Sequence, residues 1–336
     1  MYKSNKKISK AIDDNRIFIL FAIVFIIMSI FAPSFLNIIN LSNILKGACL
    51  GAMVAIGFTL VLICGQLDLS IGMTLNLGSI VVIGLCSTAG WILSIPAAIL
   101  AGAAVGLCNG LLVTKGKIHA FIVTLGMMIT VKGILYMITG SASISVSDFS
   151  LSDWLGRRVL LIFTPKILIT LAVILLFEFF LKKTKQGRIF YLVGGNKETA
   201  WLGGFNTDKF IIIAFAISGA VAALGGVLFA IELGSAVPNM GEKGVNPQLL
   251  VIASVIIGGA SMMGGKGSVI KSAFAVMTLM MLFNGLSCFG TGYEVQIFSS
   301  GLILAVVVMY EAFSQYREDL MRGQRIKLLE EIKRKV

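Results

Sequence analysis

Histidine is almost absent from this chain: His119 is the only one among 336 residues, and acidic residues number 16. A lone imidazole with no second His or Cys nearby leaves no ligand set for a metal. Cysteine is equally unhelpful to chemistry. Cys49, Cys64, Cys86, Cys108 and Cys288 all lie in apolar stretches and form no C-x-x-C pair, which makes them buried, reduced packing residues. Enzyme signatures are missing too: there is no G-x-S-x-G, no H-E-x-x-H and no Walker A sequence. The run Gly258-Gly259-Ala260-Ser261-Met262-Met263-Gly264-Gly265-Lys266-Gly267 resembles a phosphate loop only superficially, because Gly267 stands where Ser or Thr is required. No catalytic residue, metal or cofactor is therefore assigned to this chain, and any ATP and Mg it depends on must be handled by another subunit.

Charge is scarce as well, at 13% of residues against 57% hydrophobic, with a mean hydropathy of +0.96. Such a chain is not a water-soluble domain. A helix that crosses the roughly 30 Å hydrocarbon core needs about 20 mostly apolar residues. Apolar runs fall at about 17–36, 44–64, 69–88, 91–113, 118–139, 160–181, 210–232, 247–263, 268–288 and 295–314. The expected fold is an all-α integral membrane protein with about ten transmembrane helices. Residues 1–16 form a cytoplasmic N-terminal segment, 17–314 the transmembrane domain, and 315–336 a basic, amphipathic cytoplasmic tail on the inner leaflet. The basic start before Ile17 resembles a secretory signal, but the run is long and no small-x-small cleavage site follows it, so it reads as a retained first helix.

The net charge of +12 finds its explanation in topology. No nucleic-acid motif accompanies it, which argues against a nucleic-acid partner. Of the 28 Lys and Arg, 22 lie at 1–16, 115–117, 182–209, 266–271 and 317–335. Ten crossings starting inside put all five clusters, and both termini, on the cytoplasmic face, as the positive-inside rule requires. The Gly-rich breaks at 65–72 and 258–267 are expected to be irregular segments facing the interior of an assembly, since lipid cannot satisfy free backbone groups.

Asp68, in Gly65-Gln66-Leu67-Asp68-Leu69-Ser70-Ile71-Gly72, is a charge between two apolar stretches, where a functional role is the default. Two roles stay open for it: capping the helix that follows, or contact with solute or proton. Lys132, inside another apolar run, either snorkels to the interface or pairs with a carboxylate. Glu178, Glu294 and Glu311 read as interfacial. The segment from Lys182 to Lys209 is the longest polar loop between helices. Within it Asn196 can cap a short helix over Lys197 to Leu202, and Gly203-Gly204 can stop it in a left-handed turn. So short a helix is unstable alone. With Trp201 and Leu202 on it, it either docks into another protein or lies on the membrane surface.

These motifs resemble the permeases of bacterial ribose-type ABC importers over roughly residues 17 to 314. The resemblance rests on Gly65-x-x-Asp68-Leu69-Ser70-x-Gly72, on Asn109-Gly110 through Phe121-Ile122-Val123-Thr124-Leu125-Gly126, on Gly194-Gly195-Asn196-x-x-x-Ala200-x-x-x-Gly204, and on Ile257-Gly258-Gly259-Ala260-Ser261-x-x-Gly264-Gly265-x-Gly267 followed by Asn284-Gly285-Leu286. It implies a type II importer-like arrangement with an inverted repeat, hinted at by Asn109-Gly110-Leu111 and Asn284-Gly285-Leu286. It also implies three protein partners: a cytoplasmic ABC ATPase, a periplasmic or lipid-anchored solute-binding protein, and a second permease chain, identical or not. ATPase coupling would fall to Gly195, Asn196, Glu198, Ala200, Trp201 and Gly204. The translocation path or gate would involve Asp68, Ser70, Asn76, Asn109, Phe121, Gly258, Gly259 and Asn284. The cargo expected is a sugar or sugar-like solute, with nucleosides or branched-chain amino acids as alternatives; a proton-coupled secondary transporter using Asp68 and Lys132 is the alternative of a different class. The chain departs from the family pattern at His119-Ala120-Phe121 and at Val245-Asn246-Pro247-Gln248-Leu249-Leu250, which leaves the identity of the solute open.

Overall fold

The computed structural model describes residues 2–159, 161–239, 247–292, 294–307, 309 and 313. The expected tail at 315–336, Glu311, Val245 and Asn246 lie outside the described residues. The chain forms α1 (Tyr2–Phe31), α2 (Ile38–Ile63), α3 (Ile71–Thr114), α4 (Ala120–Thr139), α5 (Ser150–Gly156), α6 (Pro165–Lys183), α7 (Lys185–Gly195), α8 (Lys197–Leu202), α9 (Thr207–Leu233), α10 (Pro247–Ile257) and α11 (Val269–Cys288). A last apolar helix, α12, covers Glu294–Val307. The strand content among the described residues is one antiparallel ladder, β1 (Ile144–Ser145) on β2 (Ser235–Ala236). Among the described residues α2, α3, α4, α9 and α11 are long and apolar enough to cross a membrane.

Local chemistry sets the helix starts. Asn37, Thr184, Asn196, Asn206 and Ser268 each accept a bond from a backbone N–H of the first turn, satisfying donors that a helix leaves free. α3 is two helices in sequence. Gly90 sits at φ 68, ψ 169, a non-helical conformation open mainly to glycine. A Cβ on Gly78 and one on Gly102 would both run into Ala223, so the two limbs lie side by side against α9. The break expected between 88 and 91 is this turn.

α2 and α9 form the centre. Every α2 residue from Gly51 to Ile63 is buried, which a helix apolar on all sides permits. Close approach depends on small residues, since apolar side chains gain little from leaving lipid: a Cβ on Gly219 would fall on the Gly102 carbonyl, and one on Gly106 on the Phe215 carbonyl. The periphery is apolar and open, with Ile122, Ile129 and Met137 of α4 and Leu175 and Phe179 of α6 exposed.

Helix ends gather into two groups. At one end lie the C-termini of α2 and α3, then α7 and α8, and the N-termini of α9 and α11. Lys115 and Lys197 both reach Asp208 there, at 3.9 and 3.1 Å, and Gly265, beside Lys266, donates to the Ile63 carbonyl at 2.8 Å. The basic clusters at 115–117, 182–209 and 266–271 thus share one end. At the other lie the start of α2, α5, the start of α6 and the end of α9, joined by Ser42 to Ile162 and Lys46 to Gly156.

Two expectations change, and a third residue gains partners. The run 247–263 is helical only to Ile257; Gly258 packs against the backbone of Lys271 and Ser272, and Gly259 turns out at φ +90. The loop after Lys182 contains an additional helix, α7. Glu178, near the end of α6, is buried against the start of α11, accepting from Ser268 Oγ at 2.8 Å and Ile270 N at 3.2 Å while pairing with Lys182. It thereby places a negative charge at the positive end of α11.

Candidate functional site

The segment between α6 and α9 is built as a bracket. Thr184 starts α7, whose buried face carries Gly187, Phe190 and Val193. Phe190 stacks edge-on against Phe180 and Phe210, at 6.1 and 5.2 Å, tying α7 to α6 and α9. Asn196 then closes α7 and opens α8, its Oδ1 accepting from Thr199 N at 2.8 Å. Ala200 is buried underneath, whereas Trp201 and Leu202 are 67% and 77% exposed on the far side. Gly203 keeps an ordinary φ of −74, and Gly204 at φ +83 makes the left-handed stop. Glu198 lies in the first turn of α8.

The bracket is anchored where three backbones meet. A Cβ on Gly194 would fall on the Ile63 carbonyl at the end of α2; one on Gly264 would lie 2.8 Å from Gly65 N; one on Gly265 would lie 2.8 Å from Gly195 Cα. Gly264 and Gly265 hold φ of +84 and +73. The glycines of three separate motifs thus converge on one point, because only backbone without side chains can pack so closely. Tyr191 closes the joint by donating to the Gly267 carbonyl at 3.1 Å. Burial first, and the Glu178 carboxylate second, push its phenol up to about 12, so it remains a protonated donor under working conditions. Tyr191→Phe is expected to lower stability by about 1 kcal/mol, read as a lower thermal unfolding midpoint in detergent.

Directly behind this joint lies a polar node. Asp68, 1% exposed, accepts from Ser70 N at 3.0 Å and Ser70 Oγ at 2.7 Å, and from Ser218 Oγ of α9 at 3.3 Å. Asn109, on the return limb of α3, donates to Ser70 Oγ at 2.8 Å. Asp68, Ser70 and Asn109 are therefore brought together, and the node links the start of α3, its end and α9. Beside it opens a cavity of about 610 Å³ walled by Gln66, Thr114, Lys117, His119, Lys197 and Asp208 among others.

The remaining sequence candidates lie elsewhere. Asn76 is buried on the first limb of α3, donating to the Pro238 carbonyl at 3.3 Å. Among the described residues, its Oδ1 and that of Asn109 find no hydrogen-bond partner. Asn284 exchanges reciprocal 2.8 Å bonds with Asn40 of α2. Phe121 is 45% exposed on α4, and Gly258 and Gly259 form the turn after α10. Lys132 has its ammonium 5.9 Å from the Tyr136 ring centre. Among the described residues no three of His, Cys, Asp and Glu gather as metal ligands would.

One cluster was not singled out from sequence. Glu232, at the end of α9, pairs with Lys166 at 2.5 Å and Lys46 at 3.5 Å; Lys166 is 2% exposed and also faces the Phe229 ring. Each of the three sits near the end of an apolar run, where a charge raises no suspicion by itself.

Comparison with known proteins gives a consistent answer. A family profile described as branched-chain amino acid transport system / permease component matches residues 40–309. The ribose import permease protein RbsC of Haemophilus influenzae is 32% identical over 314 residues, covering 92% of this chain and 96% of that one. RbsC of Escherichia coli is 33% identical over 292 residues, covering 85% and 89%. The L-arabinose transport system permease protein AraH of Escherichia coli is 30% identical over 321 residues, covering 93% and 94%. No solved structure matches. With its profile match spanning most of the sequence, and with near full-length relatives among ribose and arabinose permeases, the chain belongs to this family of ABC-importer permeases.

Proposed function

We propose that this chain is the membrane-spanning subunit of an ATP-driven importer for a sugar or sugar-like solute, and that it transmits the work of a separate cytoplasmic ATPase through α7 and α8. The observation that carries the reading is the glycine joint. The exposed Trp201 and Leu202 sit on a short helix whose anchor is in direct backbone contact with the end of α2 and with the Gly-rich turn before α11. A push on α8 has a rigid route into the membrane domain, which a surface loop lacks.

The names of the relatives, ribose and L-arabinose permeases, support a monosaccharide as cargo. Alternation of helix ends between the two faces supports ten crossings, with α3 counted twice. The shared end of the basic clusters supports placing it, and both termini, in the cytoplasm of a bacterial inner membrane. Asn109 and Asn284 fall at opposite ends, Asn109 beside the glycine joint and Asn284 against the start of α2, as an inverted repeat would have them. A second permease chain and a solute-binding protein complete the assembly. Asn76, Asn109 and the polar node are the interior groups available to a passing solute. The proton-site reading has less support, since Asp68 is held by Ser70 and Ser218.

The test is a reconstitution of the chain with its ATPase and binding protein in liposomes. Uptake of labelled sugar should require all three and ATP. Glu198→Arg or Gly204→Trp should reduce solute-stimulated ATP hydrolysis about tenfold, the equivalent of roughly 1.4 kcal/mol of lost docking, with insertion unchanged. Full stimulation in both variants refutes the role of α8; uptake driven by a proton gradient without ATP refutes the importer itself.

A further inference from the structure

Six cations fall outside the five clusters: Lys46, Lys132, Arg157, Arg158, Lys166 and Lys243. Four of them assemble at the end of the bundle opposite α7 and α8. Lys46 and Lys166 share Glu232, and the Lys46 ammonium donates to the Gly156 carbonyl at 3.2 Å, which brings the exposed Arg157 and Arg158 alongside. Glu232 neutralises one lysine, and Lys166 is sealed from the surface. The accessible part of the cluster, Lys46 with the two arginines, outweighs the exposed Asp153 of α5 and is left net positive.

Next to these cations, α2, α6 and α11 leave between them a crevice of about 250 Å³. Leu45 and Phe163 stand at its basic end; Ala48, Ile174 and Ala273 lie further along. Its two polar side chains are turned away from it: Cys49 Sγ bonds the Leu45 carbonyl at 3.2 Å and Thr170 Oγ1 the Lys166 carbonyl at 2.9 Å. The wall is hydrocarbon, and the exposed Leu171 and Leu175 show that it opens on the periphery of the bundle.

We propose that this is a specific site for an anionic phospholipid, with one acyl chain in the crevice and the phosphate held by Arg157, Arg158 and Lys46. Two independent features select that occupant. A carbon-lined slot among spanning helices loses dispersion contacts unless filled, and the bilayer supplies only chains to fill it. A cationic rim at the mouth of the slot adds charge-assisted bonds that a phosphate forms best with arginine. A zwitterionic lipid satisfies the first feature and much less of the second. Lipid binding here is independent of the cargo and of any coupling through α8.

Native mass spectrometry of the purified chain, titrated with phosphatidylglycerol and phosphatidylcholine of identical chains, tests it. Phosphatidylglycerol should be retained preferentially. Arg157→Gln and Arg158→Gln should each weaken that retention about fivefold, while retention of phosphatidylcholine stays unchanged. Ala48→Phe, which fills the slot, should abolish both adducts; Ala273→Leu provides the same test with a smaller side chain should the first variant not fold. Equal retention of the two lipids overturns the proposal. So does an adduct that survives both filling variants, which would place the lipid elsewhere, or arginine variants that lose transport with phosphatidylglycerol retention intact, which would make the rim a contact for a soluble protein.

Discussion

Replacing Glu232 by alanine is expected to cost the folded chain about 3 to 5 kcal/mol, because it strands a buried ammonium. Lys166 is 2% exposed, and its charge is met by the Glu232 carboxylate at 2.5 Å and the face of Phe229. Removing the carboxylate leaves the ring, worth about 2 kcal/mol or somewhat more to a desolvated cation, and pushes Lys46 and Lys166 into uncompensated repulsion. The measurement is the thermal unfolding midpoint in detergent together with the fraction of protein extracted in a monodisperse state. The double variant is the sharper test. Glu232→Ala with Lys166→Met removes both charges and keeps the volume at position 166, and should recover most of the loss, since a buried pair replaced by apolar groups is often neutral. A double variant no better than the single would show that the damage lies in lost packing at the end of α9 and not in the charge.

The same cluster shows where sequence reading runs out. Apolar runs, the turn at Gly90 and the Asn196 cap are local: each depends on residues within a few positions, and each was legible. Glu232 and Lys166 are 66 residues apart, and nothing local distinguishes their burial from snorkelling at a helix end. Asp68 was visible as a misplaced charge, but its partners Ser218 and Asn109 come from other helices. The Asn284 motif was likewise visible, while its reciprocal partner Asn40 was not. α7 was missed for a related reason. Its glycines, Gly187, Gly194 and Gly195, argue against a helix on propensity, yet the first two are required by contacts the sequence does not display: a Cβ on Gly187 would fall on the Phe180 carbonyl and one on Gly194 on the Ile63 carbonyl. The glycine motifs could be read individually as belonging to a family; that three of them form one joint is a tertiary fact.

That joint makes the second large prediction. Gly194 packs against the carbonyl of Ile63 so closely that any side chain must displace α7 or the end of α2. Gly194→Val is therefore expected to tilt the α7–α8 bracket away from the membrane domain at a cost of about 1 to 3 kcal/mol. If α8 couples to an ATPase as proposed, that energy comes out of the link between ATPase and permease, so solute-stimulated ATP hydrolysis and uptake in liposomes should fall by roughly tenfold to a hundredfold. Basal hydrolysis, which belongs to the ATPase, should persist. Gly126→Val is the control, since a side chain there meets nothing within 4 Å. A merely destabilised protein would lose its thermal midpoint and its uptake in proportion, while a severed joint loses stimulation in protein that still binds the ATPase and remains folded. If Gly194→Val transports at the control's rate, the closeness of the three backbones has no part in transmission, and α8 must act through contacts other than this joint.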